Sequence, residues 1–127
     1  MKRIFLLLLL AISPFLSFAQ QKLSPEEKKL VERIDKNYQE TVALLEEVVN
    51  INSGSLNLEG VREVGRVFER EFQKIGFQTE WVEVPAEVKR AGHFVATRTG
   101  TKGKKLFLIG HLDTVFEKDM PFTHFTW

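Results

Sequence analysis

The chain carries two stretches of helical apolar spacing, then three short stretches of strand character. Apolar residues recur at Leu30, Val31, Ile34, Tyr38, Val42, Leu45, Val48 and Val49. That is the 3.6-residue period of one buried helix face. Ser24-Pro25-Glu26-Glu27 stands just before it. Ser24 can cap, Pro25 suits the first helical position, and Glu27 can reach back to the cap amide. This helix is expected to run to the Asn50–Ser53 region, where Asn residues and Gly54 collect.

A second helix is expected from an Asn57 cap through Ile75, with Val61, Val64, Phe68, Phe72 and Ile75 on its apolar face. The opposite face carries Glu59, Arg62, Glu63, Arg66, Glu69 and Arg70. The signs mix at helical spacing, which suits a solvated surface better than a binding stripe. Gly76 suits the C-terminal stop. Gln78–Val84, Phe94–Thr99 and Leu106–Ile109 read as strands, with a Gly100–Gly103 turn between the last two. That short link predicts that the last two are antiparallel neighbours. The unbroken apolar run of Leu106–Ile109 predicts burial on both faces, as in a central strand of an α/β sheet. There is no internal repeat.

The first residues follow another logic. Lys2-Arg3 precedes an apolar run from Ile4 to Ile12, Ser13-Pro14 breaks it, and Ser17-Phe18-Ala19 places small residues around a cleavage point. This is the pattern of a secretory signal over residues 1–19. The run is too short for a stable anchor, which needs about 20 apolar residues. The expected product is exported, to the periplasm or outside the cell. Removing 19 of the 127 residues leaves 108, and losing Lys2 and Arg3 leaves 16 basic against 17 acidic residues, a net charge of −1. The formal +1 of the whole chain therefore belongs to the signal, and a nucleic-acid partner is not expected. With no cysteine, the chain has no disulfide, thiolate metal site or cysteine nucleophile. Eleven Phe and 43% hydrophobic residues exclude a disordered composition.

Candidate chemistry lies directly after the third apolar stretch, in Gly110-His111-Leu112-Asp113-Thr114-Val115. Ligands of open α/β sheets gather beyond the carboxyl ends of the strands. Two residues apart on extended chain, His111 and Asp113 point to the same side. A neutral imidazole nitrogen can bind a metal while a carboxylate accepts the other ring N–H, fixing the tautomer. Gly110 would allow a close backbone approach. His and carboxylate donors suit zinc, cobalt or manganese.

The wider string Leu108–Phe116, with Pro121-Phe122 behind it, resembles the first metal-binding segment of the zinc-dependent exopeptidases. That family includes glutamate carboxypeptidase, succinyl-diaminopimelate desuccinylase, acetylornithine deacetylase and aminoacylase. The opening also resembles theirs: a helix, the Asn52-Ser53-Gly54-Ser55 loop, a second helix, Ile75-Gly76-Phe77 and a strand. The resemblance covers nearly all residues after the signal, and glutamate carboxypeptidase looks nearest.

The resemblance implies an α/β fold, the first part of an α/β/α sandwich (two helices then three strands). It implies a pair of Zn2+ ions, His111 as a ligand of one, and Asp113 as the carboxylate that orients His111. Substrates would be peptides or N-acyl amino acids cut at an amide bond. The family's remaining ligands, its general base and its dimerising domain have no counterpart before Trp127. Residues 20–127 are thus expected to be an incomplete N-terminal part of a catalytic domain, inactive alone and poorly soluble. His93, at a strand start, and His124, in Thr123-His124-Phe125, do not read as ligands, and Glu117 and Asp119 read as solvated loop charges. The alternative expectation is a complete small exported binding or interaction module without catalysis.

Overall fold

The structure, a computed structural model, describes residues 22–127. The signal expected over residues 1–19 lies outside them. Among the described residues, three α-helices and a two-stranded antiparallel sheet give a mixed α/β character. The chain divides into two compact units between Gln39 and Glu40. Among the described residues no helix is long and apolar enough to cross a membrane.

The first unit holds α1 (Pro25–Lys36), and its start is the expected capping box. Glu27 N donates to Ser24 Oγ at 3.2 Å, and Ser24 N donates to Glu27 Oε2 at 2.7 Å. The bond from Ser24 N first, and the Ser24 side chain after it, hold the Glu27 carboxyl below its ordinary pKa. The single long helix expected from the apolar period does not form. It breaks at Asn37, whose N–H turns to the carbonyls of Arg33 and Ile34, and a second helix, α2 (Tyr38–Val49), follows. Asparagine is a poor interior helix residue because its side chain competes for nearby backbone groups. The expected buried face is also corrected. No residue of α1 or α2 is buried, and Leu30, Val31 and Ile34 are exposed.

In the second unit the core forms around α3 (Leu58–Lys74). Asn57 caps it by accepting from Gly60 N at 3.4 Å. Val61, Val64 and Val67 are buried, together with Ala91 from the loop between the strands. Phe68 and Phe72 are half-buried, while Ile75, expected on the same face, is exposed at the helix end. Gly76 takes a φ of 82°, which a side chain rarely adopts. There Gly76 N donates to Gln73 O and Phe77 N to Phe72 O, the paired bonds of a Schellman stop. The Phe72 and Phe77 rings meet edge-on at 5.1 Å, supplying the apolar contact that accompanies this motif.

The sheet consists of β1 (Gln78–Val82) and β2 (His93–Thr97), paired antiparallel with Gln78 opposite Thr97 and Trp81 opposite Phe94. Thr79 and Trp81 are half-buried, while Gln78, Glu80 and Val82 are exposed, the alternation of a strand with one covered face. Trp81 is held from three sides. Its Nε1 donates to Ala91 O at 2.9 Å, the Arg62 guanidinium lies 5.1 Å from its ring centre, and Gly65 leaves room for its edge. A Cβ on Gly65 would collide with the indole ring.

The third expected strand is corrected. Leu106–Ile109 forms no ladder, and its four side chains are 80–88% exposed. It is not the neighbour of the strand before it; β2 pairs with β1 instead. The composition suits a strand covered on both faces, but a strand also needs a hydrogen-bonding neighbour, and none of the described residues supplies one. The described residues therefore do not build a layered sandwich.

Candidate metal centre

The loop between α2 and α3 and the segment after Ile109 are joined by a short parallel bridge, Gly54 with Thr114. Ser55 N donates to Thr114 O at 3.1 Å, and Thr114 N donates to Ser53 O at 2.8 Å. Asn52 Nδ2 adds a bond to Phe116 O at 3.0 Å, and Leu56 N donates to Glu117 Oε1 at 3.1 Å. Ser53 and Gly54 are buried at this junction. These bonds fix the backbone directly after Asp113.

His111 Nδ1 lies 3.2 Å from Asp113 Oδ1. The other carboxylate oxygen, Oδ2, accepts from Ser55 Oγ at 2.5 Å. The Ser55 hydroxyl is the main cause that holds the Asp113 carboxyl below its ordinary pKa; partial burial opposes it, and His111 adds a smaller lowering. A carboxylate only accepts, so a neutral His111 ring bonded to it would carry its proton on Nδ1. Nε2 would then keep its lone pair, on a side chain that is 90% exposed. Beside the pair is a cavity of about 280 Å³, lined by Val48, Val64, Phe68 and Phe116 as well as His111 and Asp113.

A neutral imidazole whose second nitrogen meets a carboxylate fits a zinc ion as one ligand. The donor set goes no further here. Among the described residues no three His, Cys, Asp or Glu side chains come together to hold a metal. His93 lies opposite Val82 in the sheet, and His124 Nδ1 contacts Thr123 Oγ1 at 3.0 Å. Gly110 has open space around its α-carbon, so the close approach expected there has no partner among the described residues. Asp119 is exposed.

Two residues have structural tasks that the sequence reading did not assign. Glu117, expected to be a solvated loop charge, is half-buried and binds the Leu56 amide. Ser55 reaches across 58 residues of sequence to Asp113. Its only sequence signal is a hydroxyl residue beside Gly54 in an otherwise ordinary loop.

Comparison with known proteins adds one finding. A stretch of 77 residues, 61% of the chain, is 34% identical to carboxypeptidase G2 of Pseudomonas sp. (strain RS-16). The match spans 18% of that protein's length. No family model and no solved structure matches the chain. The likeness supports the general exopeptidase resemblance carried by the Gly110–Val115 segment, without selecting a subgroup.

Proposed function

We propose that His111 and Asp113 form one corner of the metal centre of an exported zinc-dependent hydrolase, which cleaves amide bonds of peptides or N-acyl amino acids. The observation that carries this reading is the His111–Asp113 contact at 3.2 Å, on a ring whose Nε2 faces solvent. The match to a carboxypeptidase supports the peptidase class. The basic-apolar-small pattern of residues 1–19 supports export.

The chain's own residues do the following in this reading. Asp113 accepts the Nδ1–H of His111, which fixes the tautomer and raises the basicity of Nε2. His111 offers that nitrogen to the metal. The bridge of Gly54 to Thr114 holds the backbone next to Asp113. The chemistry that zinc would supply there is Lewis-acid polarisation of a scissile carbonyl and activation of a water. The other ligands and the general base would come from outside the described donor set.

The test uses the full product of the gene that encodes these residues. It is assayed for release of amino acids from short peptides and N-acyl amino acids. Activity is expected to vanish with a chelator and to return with Zn2+. Hydrolysis that persists in excess chelator would overturn the metal-dependent reading.

A further inference from the structure

We infer that Ser55 is a positioning residue for the metal-ligating histidine, acting through Asp113 to hold His111 as its Nδ1–H tautomer. This rests on the proposed role of His111 and adds to it a residue on a different loop. Ser55 Oγ donates to Asp113 Oδ2 at 2.5 Å, while Oδ1 of the same carboxylate faces His111 Nδ1 at 3.2 Å. One carboxylate oxygen is therefore committed to the hydroxyl, which leaves the other for the ring. Without the hydroxyl, the carboxylate can rotate about χ2, a broad and soft torsion for Asp, and either oxygen can turn to solvent.

The backbone around Ser55 makes this bond more than a chance surface contact. Ser55 N donates to Thr114 O at 3.1 Å, so the residue is anchored to the neighbour of Asp113 by main chain as well as by side chain. The Ser55 hydroxyl also lies 3.3 Å from Thr114 O. A hydroxyl has one proton, and the shorter contact to a charged acceptor takes it. An exposed histidine has no other reason to prefer Nδ1–H, since free in water the ring favours Nε2–H. A preference for Nδ1–H at His111 is thus the signature of the relay.

The experiment is 15N NMR of the ring nitrogens in the 127-residue chain at about pH 8, above the ordinary histidine pKa of about 6.5. His111 is expected to be mainly the Nδ1–H form, with His93 as an internal comparison. Ser55→Ala is expected to return His111 to mainly Nε2–H and to raise the Zn2+ concentration that half-shifts its Nε2 signal by about 10-fold, the low end of outer-partner effects. Ser55→Thr keeps the hydroxyl and is expected to restore both. The Thr114 amide signal reports whether the bridge survives. Where Ser55→Ala loses it, Ser55→Cys, similar in size with only a weak donor, takes its place with the same expected shift.

An Nε2–H majority in the parent chain overturns the inference. So does a tautomer unchanged by Ser55→Ala or Ser55→Cys with the bridge intact, or a Ser55→Thr chain that fails to restore it. These readouts need no catalysis. A relay that holds in a gene product without hydrolase activity would sink the proposed function and leave the inference standing; the converse result would do the reverse.

Discussion

Gly54 and Thr114 face each other in a parallel bridge, and Gly54 is buried with no room for a side chain. A Cβ there would stand 2.8 Å from Glu117 Cα and 2.7 Å from its carboxyl carbon. The carboxyl is a side chain that can turn away, but the Glu117 Cα is backbone, so side-chain rotation alone cannot clear the clash. Gly54→Ala is expected to cost about 1–3 kcal/mol, the range for forced overpacking. Urea unfolding checks this, with a lower midpoint and an unchanged slope as the expected result. An unchanged midpoint would show that the bridge yields easily.

Glu27 gives a pH prediction. Its folded-state pKa is lowered, so its contribution to α1 is complete above the ordinary glutamate value and is lost as pH falls through the lowered one. A carboxyl 13C titration should find Glu27 below that ordinary value, and Ser24→Ala should bring it only part of the way back, since the backbone N–H of residue 24 remains a donor. Equal midpoints in the two chains would remove the Ser24 side chain as a cause.

These two sites differ in how visible they are in the sequence. The capping box is local: Ser24, Pro25 and Glu27 carry their own geometry, and the helix starts where they say. The stop at Gly76 and the α3 core of Val61 and Val64 are similarly legible, because period and turn chemistry act over a few residues. The break at Asn37 is masked because the apolar period continues across it. The composition of Leu106–Ile109 reports a preference for burial, while a ladder depends on a partner elsewhere. His111 and Asp113 could be paired from their spacing alone. Ser55 and Glu117 could not, since both contacts cross about half the chain and leave no local pattern.

The exposed segment Leu106–Ile109 carries its own consequence. Leu106, Phe107, Leu108 and Ile109 are all exposed and no ladder pairs their backbone, which leaves an apolar, unpaired stretch facing solvent. The 127-residue chain is expected to self-associate in a concentration-dependent way by sedimentation velocity. Phe107→Lys with Ile109→Lys should weaken that association by about 10-fold or more, equivalent to about 1.4 kcal/mol. Association that the double variant leaves untouched would locate the sticky surface elsewhere, the exposed Leu30 and Ile34 of α1 being the next to test.

The most direct test of the central claim is the rate of amide hydrolysis by the full gene product with Zn2+ restored, for the parent and for His111→Ala. Outer-partner changes around a metal cost about 10- to 100-fold, and loss of a direct ligand should cost at least as much. His111→Ala is expected to fall by at least about 100-fold, with bound zinc reduced and the fold retained. A His111→Ala protein that keeps both its zinc and its rate would show that His111 is no ligand.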